Sequence, residues 1–379
     1  MSAPALSDLF VLDFSKFLPG PYCTWMLADL GAEVVRVEHP RELAKQAQVF
    51  GAQGLSPADQ ALRRARDIFG RNKKSLLLDP GDDGSRPLLE ALVRRADVLV
   101  EDYRPGVMDK MGLGYEAMAA LNPKLVYCSV TLCGQTGPYR NKPGHDPIAL
   151  SIAGALSRIG EDPERPSFPG VPVADLLSGS NAVIGVLAAL HARRATGRGQ
   201  HVDVAMSDAA MALIASLLSR NPDPARLPPR GKRRADNGLW RCADGRWVCT
   251  TDMEPRYWAR FCEVVGRPDF EALQLDQARR EEVIAGIAAI MATRTSAEWM
   301  ALFDAAGTQA MPIYEPAEAL ADPHNAMRGM TPVYSAPGGE PVHHIGCPIK
   351  LSDTPSAFRN LAPMPGADDA EIRARFLPG

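Results

Sequence analysis

The sequence predicts an α/β protein with two domains: a large one on a doubly wound parallel sheet, and a smaller α+β one. Three observations carry this. Residues 8–38 read strand, helix, strand, a βαβ unit that implies a parallel sheet. The alternation of short apolar strands with helices then continues to about residue 205. Residues 221–238 are rich in Pro, Arg and Gly and read as a linker, beyond which a hairpin and three helices follow.

In order, DLFVLDF at 8–14 is a short apolar strand. Leu18-Pro19-Gly20-Pro21 reads as a turn whose backbone N–H groups approach a ligand at the strand ends, the edge where open α/β sheets bind ligands. A helix over 22–30 stops at Gly31, and 32–38 is the next strand. Residues 41–70 read as irregular helix. Arg71-Asn72-Lys73-Lys74 leads into a strand over 75–79, a helix over 84–95 and a strand over 98–101. Tyr103-Arg104-Pro105-Gly106 follows, then a strand over 125–131. Cations at strand–loop junctions (Arg36, Lys73, Lys74, Arg104) are candidates to hold phosphates. Each alone reads more readily as a solvated surface charge, although a flanking Tyr and Pro fix Arg104. Gly112 to Ala117 matches a G-x-G-x-x-A string, but it follows a helix end and not a strand, so it is no dinucleotide fingerprint.

The stretch from Gly144 to Arg194 organises the chain. Gly144-His145-Asp146 opens it on a turn, and a Pro/Gly-rich loop crosses residues 161–172. A short apolar run, 171–174, ends at Asp175, and a long apolar helix is expected from about residue 179 to 194. A carboxylate there reads as a helix cap or as a group exploiting the helix terminus. A strand over 201–205 and a helix over 207–219 complete the first pattern. The second domain holds a hairpin at 240–251 and helices over 256–266, 281–293 and 296–306. Short strands lie in 330–351, and the tail is expected to return to the first domain.

Composition narrows the classes of function. The 46% hydrophobic and 23% charged residues fit a globular protein. A net charge of −3 and the lack of a basic tract with interleaved aromatics argue against nucleic-acid binding. No leader-like segment and no run of 18 apolar residues is seen, so the expectation is a protein that does not span a membrane. Seven scattered cysteines without a C-x-x-C pair suggest neither zinc nor disulfides, but buried thiols in a reducing cytoplasm. His343-His344 is the only close histidine pair, and neighbours on a strand point to opposite faces; no metal site is expected.

The titratable candidates are therefore His145, Asp175 and carboxylates of the second domain. His145 and Asp175 in one pocket would make an acid/base pair. Asp175 alone would serve as a nucleophile. The residues by themselves leave both open.

Taken together, VLDFSKFLPGPYCTWMLADLGAEVVRVE, RNKKSLLLD, ADVLVEDYRPGVMDKMGLGYEAM, NPKLVYCSVTLCGQTGPY, the central stretch and TGRGQHVDVAMSDA resemble the class III CoA-transferase family over nearly the whole chain. The resemblance implies a large Rossmann-like domain from both chain ends (1–220 and 325–379), a linker at 221–238, and a small domain at 239–324. It also implies two chains threaded into an interlocked homodimer, with the family's catalytic aspartate matching Asp175. The family's transferases use that aspartate as nucleophile through a mixed anhydride and an aspartyl-CoA thioester. Many carry a Gly-rich shielding loop, which RGKRRADNGLW lacks.

The resemblance is closest to the α-methylacyl-CoA racemase branch. That branch pairs Gly-His-Asp with an aspartate 30 residues beyond the histidine, as Gly144-His145-Asp146 stands to Asp175. It also carries a Glu-Pro followed by aromatics, as in Glu254-Pro255-Arg256-Tyr257-Trp258. Two departures exist: Gly-Val-Pro-Val at 170–173 is transferase-like, and Pro147-Ile148 replaces the usual Ile-Asn.

The expected function is two-base racemisation or epimerisation at C2 of an acyl-CoA. Asp175 and His145 act on opposite faces, Glu254 tunes them, and N–H groups after Asp175 hold the enolate. Arg36, Lys73, Lys74 and Arg104 would grip CoA phosphates, with the adenine near Pro19 and Gly20. Coenzyme A enters as part of the substrate, with no permanent cofactor. The alternative is CoA transfer to a carboxylic acid through an aspartyl intermediate.

Overall fold

The computed structural model describes residues 3–377, apart from Phe50, Glu161, Pro163, Pro222 and residues 228–233. The chain divides into two units. The first comprises Met1–Ile159, Pro166–Leu227 and Ala326–Gly379; the second comprises Gly160–Arg165 and Pro228–Asn325. The division after Leu227 falls inside the expected linker, of which residues 222 and 228–233 lie outside the described residues.

The first unit is built on six parallel strands: β1 (Phe10–Asp13), β2 (Glu33–Glu38), β3 (Lys73–Leu77), β4 (Val98–Glu101), β5 (Val126–Thr131) and β6 (His201–Ala205). Their order is β3-β2-β1-β4-β5-β6, so the winding reverses between β1 and β4. Leu12 sits opposite Val35 on one side and Leu99 on the other. Side chains alternate across a strand, and both faces here are apolar. Phe10, Leu12, Val35 and Leu99 enter one core, with Leu88, Leu89 and Leu92. Val11, Val34, Val98 and Val100 enter the other, with Trp25, Leu27, Ala182 and Val186. A parallel sheet covered on both faces requires this run of apolar residues.

Two helices cover the second core, α1 (Pro19–Asp29) and α4 (Val173–Thr196), while α2 (Arg86–Arg95) covers the first. A further helix, α3 (Asp146–Ile152), precedes α4. Two expectations are corrected here. Pro19-Gly20-Pro21 is the first turn of α1 and not a separate turn; Pro19 and Pro21 have no N–H, so this segment offers few donors. Helix α4 begins at Val173, about six residues earlier than expected, which puts Asp175 in its first turn. By length and composition α4 also qualifies as a candidate membrane span (mean hydropathy 1.7). In this fold it packs on α1, β5 and β6.

The C-terminal segment returns to this unit. Asp368 accepts a hydrogen bond from the Ser75 N–H (2.7 Å) and Asp369 one from Leu77 (2.8 Å), while Ile372 and Phe376 join the first core. The second unit has an antiparallel sheet of β7 (Gly238–Arg241), β8 (Trp247–Thr250) and β9 (Ala310–Pro312). Trp240, Trp258, Phe261, Trp299 and Phe303 form its core with the helices Pro255–Val264, Arg280–Met291 and Ser296–Ala306.

A buried ion pair fixes the start of the first unit. Lys73 Nζ lies 2.8 Å from Asp13 Oδ2 and donates to Thr24 Oγ1 at 2.6 Å; Thr24 itself donates to Asp13 at 2.7 Å. These contacts tie β3 and α1 to the end of β1. Lys73→Met keeps the aliphatic stem but leaves a buried carboxylate unpaired. We expect it to cost about 3–5 kcal/mol in urea denaturation; a change under about 1 kcal/mol would show that the pair supports nothing.

Candidate active site

A cavity of about 470 Å³ opens at the C-terminal ends of β1, β4 and β5. This is the switch point of the sheet, where ligands of open α/β folds bind. Phe17 and Pro19 line it from the loop after β1, and Asp102, Tyr103, Arg104 and Pro105 from the loop after β4. Thr131, Leu132, Arg140, Lys142, His145 and Asp175 complete the wall. A larger cleft of about 770 Å³ lies at the other end of the sheet, with Arg94, Arg95, Arg193 and Arg194 on its wall. Those arginines sit in the last turns of α2 and α4, where they complement helix C-termini. Size alone therefore does not select the site.

His145 and Asp175 are brought to one cavity by Asp146. This aspartate is 5% exposed. Its Oδ2 accepts hydrogen bonds from the backbone N–H of Ala174 (2.6 Å) and of Asp175 (3.1 Å). It thereby caps α4 from outside, in place of Pro172, whose side chain caps nothing. Asp175 is therefore not the cap, and its own carboxylate is left for the cavity. His145 stands just before α3, and its carbonyl accepts from Ile148 N at 2.9 Å. Gly144 is required beside it: a Cβ there would lie 2.8 Å from Ile148 Cβ and 2.9 Å from a Leu132 methyl. The Gly-His-Asp triplet thus has three jobs: a close approach, an exposed imidazole and a cap.

Burial pushes the Asp175 carboxyl up to about 6, and the carboxylates of Asp146 and Asp102 add to the rise. Asp102 is pushed up to about 6 as well, by burial and Asp13, against the N–H groups of Phe17 and Lys16 that it accepts from. A carboxyl near 6 takes up and gives back a proton close to neutral pH.

The phosphate expectations divide. Arg104 is exposed on the cavity wall, and Pro19 lines it too. Gly20 is buried, and a Cβ there would collide with Ser15 and meet Asp102. Lys73 is 2% exposed and committed to Asp13, which removes it from any phosphate. Lys74 lies toward the N-terminal end of β3, paired with Glu33 at 3.3 Å and with Glu371. Arg36 pairs with Asp67 at 3.2 Å and borders separate clefts, one of them shared with Arg63 and Arg64. Enolate stabilisation by N–H groups after Asp175 is also corrected, because Leu176 N already donates to Pro172 O at 3.1 Å. Glu254 belongs to the second unit, exposed ahead of the helix Pro255–Val264. Sequence reasoning gave no role to Asp146, Asp102, Phe17, Arg140 or Lys142. For Asp146 the signal was present, in its place beside His145. Among the described residues no group of three or more His, Cys, Asp or Glu side chains is placed to hold a metal ion.

Removing the cap tests this geometry. Asp146→Ala should lower stability by about 1–2 kcal/mol and lower activity much further, since it releases both α4 and His145. Activity near wild type in the folded variant would show that the cap does not organise the site.

Residues 6–369 match the family described as CoA-transferase family III. A succinyl-CoA:mesaconate CoA-transferase of Haloarcula hispanica is 34% identical, over 97% of this chain and 95% of that protein. The α-methylacyl-CoA racemase of Homo sapiens is 31% identical, over 86% of this chain and 82% of that protein. Among solved structures, a CAIB/BAIF family protein from Brucella suis superposes with a TM-score of 0.82 at 29% identity, covering 99% of this chain and all (100%) of that one. The chain belongs to CoA-transferase family III.

Proposed function

We propose that the protein is a racemase or epimerase acting at C2 of an acyl-CoA thioester. The observation that carries this reading is that His145 and Asp175 line one cavity, held by a single capping carboxylate. In one direction the Asp175 carboxylate takes the C2 proton. The C–H electron pair then forms the C1=C2 bond, and the thioester carbonyl becomes an enolate. Protonated His145 returns a proton to the opposite face, leaving neutral imidazole and a protonated Asp175. The reverse direction uses neutral His145 as base and protonated Asp175 as acid; exchange with solvent resets the pair.

A carboxyl raised toward 6 serves both directions better than one at the usual carboxylate value. Arg104, Arg140 and Lys142 on the cavity wall suit the CoA phosphates. The working form is a cytoplasmic homodimer.

The second reading is CoA transfer, favoured by the transferase relative above. There Asp175 attacks the thioester carbonyl, CoA thiolate departs, and an acyl-aspartate anhydride forms. Incubating 2-methylacyl-CoA with the protein in heavy water, with no added carboxylic acid, separates the two. We expect deuterium at C2 and no acyl-aspartate captured by hydroxylamine. Captured acyl-aspartate without C2 exchange would replace racemisation with transfer.

A further inference from the structure

Asp102, the first residue after β4, stands on the cavity wall with Asp175 and His145, yet two-base proton transfer gives it no step. It is 9% exposed. Its oxygens accept from the Lys16 N–H at 3.0 and 3.1 Å and from the Phe17 N–H at 2.9 Å. Oδ2 accepts from both N–H groups and Oδ1 from Lys16 alone; an Asn amide can keep its oxygen on both donors while its N–H₂ replaces the Oδ1 acceptor. Two contacts of the clamped segment bear on the cavity wall. The Phe17 ring meets His145 edge-on, with centroids 6.0 Å apart. Lys16 Nζ stands 4.1 Å from the centre of the Tyr103 ring. Phe17 is 54% exposed, so its place depends on the backbone that Asp102 holds.

We propose that Asp102 is a positioning residue for this site: it clamps Lys16 and Phe17 so that the Phe17 ring holds His145, and it sets a second negative charge facing Asp175. Asp175 meets Asp146 at the start of α4, Asp102 from β4, and His145, Arg104, Arg140 and Lys142 on the same cavity wall. Of the two carboxylates that face Asp175, Asp102 is the one that can be replaced without removing the α4 cap. The activity half of this inference rests on the proton-transfer reading; the electrostatic half does not.

The test follows the Asp175 carboxyl directly, by ¹³C NMR of protein labelled at the aspartate carboxyls, with Asp175→Asn identifying the signal. In Asp102→Asn the Asp175 midpoint should fall by about half a pH unit, and the acidic limb of C2 exchange should move with it. Phe17→Ala should leave that midpoint in place while lowering kcat for C2 exchange about tenfold, with KM less affected. An unmoved Asp175 midpoint in folded Asp102→Asn overturns the electrostatic role. Wild-type kcat in Phe17→Ala overturns the positioning role, and decides the matter if Asp102→Asn does not fold. If the wild type catalyses no C2 exchange, the proton-transfer reading itself fails, and the NMR midpoint still decides the role of Asp102.

Discussion

The site depends on one interaction, the acceptance of the Ala174 and Asp175 N–H groups by Asp146 Oδ2. The first turn of a helix leaves N–H groups without partners inside the helix. In α4 two of these are satisfied by a residue 28 and 29 positions earlier. The same bond therefore closes a helix terminus and joins the two segments that carry His145 and Asp175. Because the cap comes from elsewhere, the Asp175 carboxyl is free of capping and is available for chemistry. The positive end of the α4 dipole favours anions, but burial and two neighbouring carboxylates outweigh it, and the Asp175 carboxyl rises toward 6.

The sheet supplies the frame. Reversal of winding between β1 and β4 opens a crevice at their C-terminal ends, and an aspartate at or just past each of those ends is used differently. Asp13, at the end of β1, is buried against Lys73 and Thr24 and holds α1. Asp102, just past β4, holds the loop after β1. Two carboxylates on one cavity wall, Asp175 and Asp102, both raised toward 6, resist simultaneous ionisation. Such a site suits a group that alternates between acid and base.

Much of the fold was legible because strand runs such as Phe10–Leu12 and Val98–Val100 are apolar on both faces, a pattern typical of covered parallel sheets. The start of α4 was misplaced because Val171 to Ala174 reads as an extended apolar run. The cap that starts the helix lies far back in sequence, so no local pattern reveals it. Lys73 and Lys74 illustrate a different limit. The sequence shows cations at a strand start, but only the fold shows that Asp13, Glu33 and Glu371 already neutralise them. His145 and Asp175 were legible as a pair through their motif; Asp102 was not, because its role is to bind two backbone N–H groups that no side-chain pattern marks.

The most direct measurement follows each enantiomer separately. C2-deuterated (R)- and (S)-2-methylacyl-CoA are given to His145→Ala and Asp175→Asn, and loss of deuterium to water is read by mass spectrometry. If the two groups face opposite sides of C2, neither variant racemises. Each then washes deuterium from one enantiomer only, and the two variants select opposite hands. Racemisation by His145→Ala, or washout from both enantiomers at the wild-type rate, would contradict the paired His145–Asp175 site.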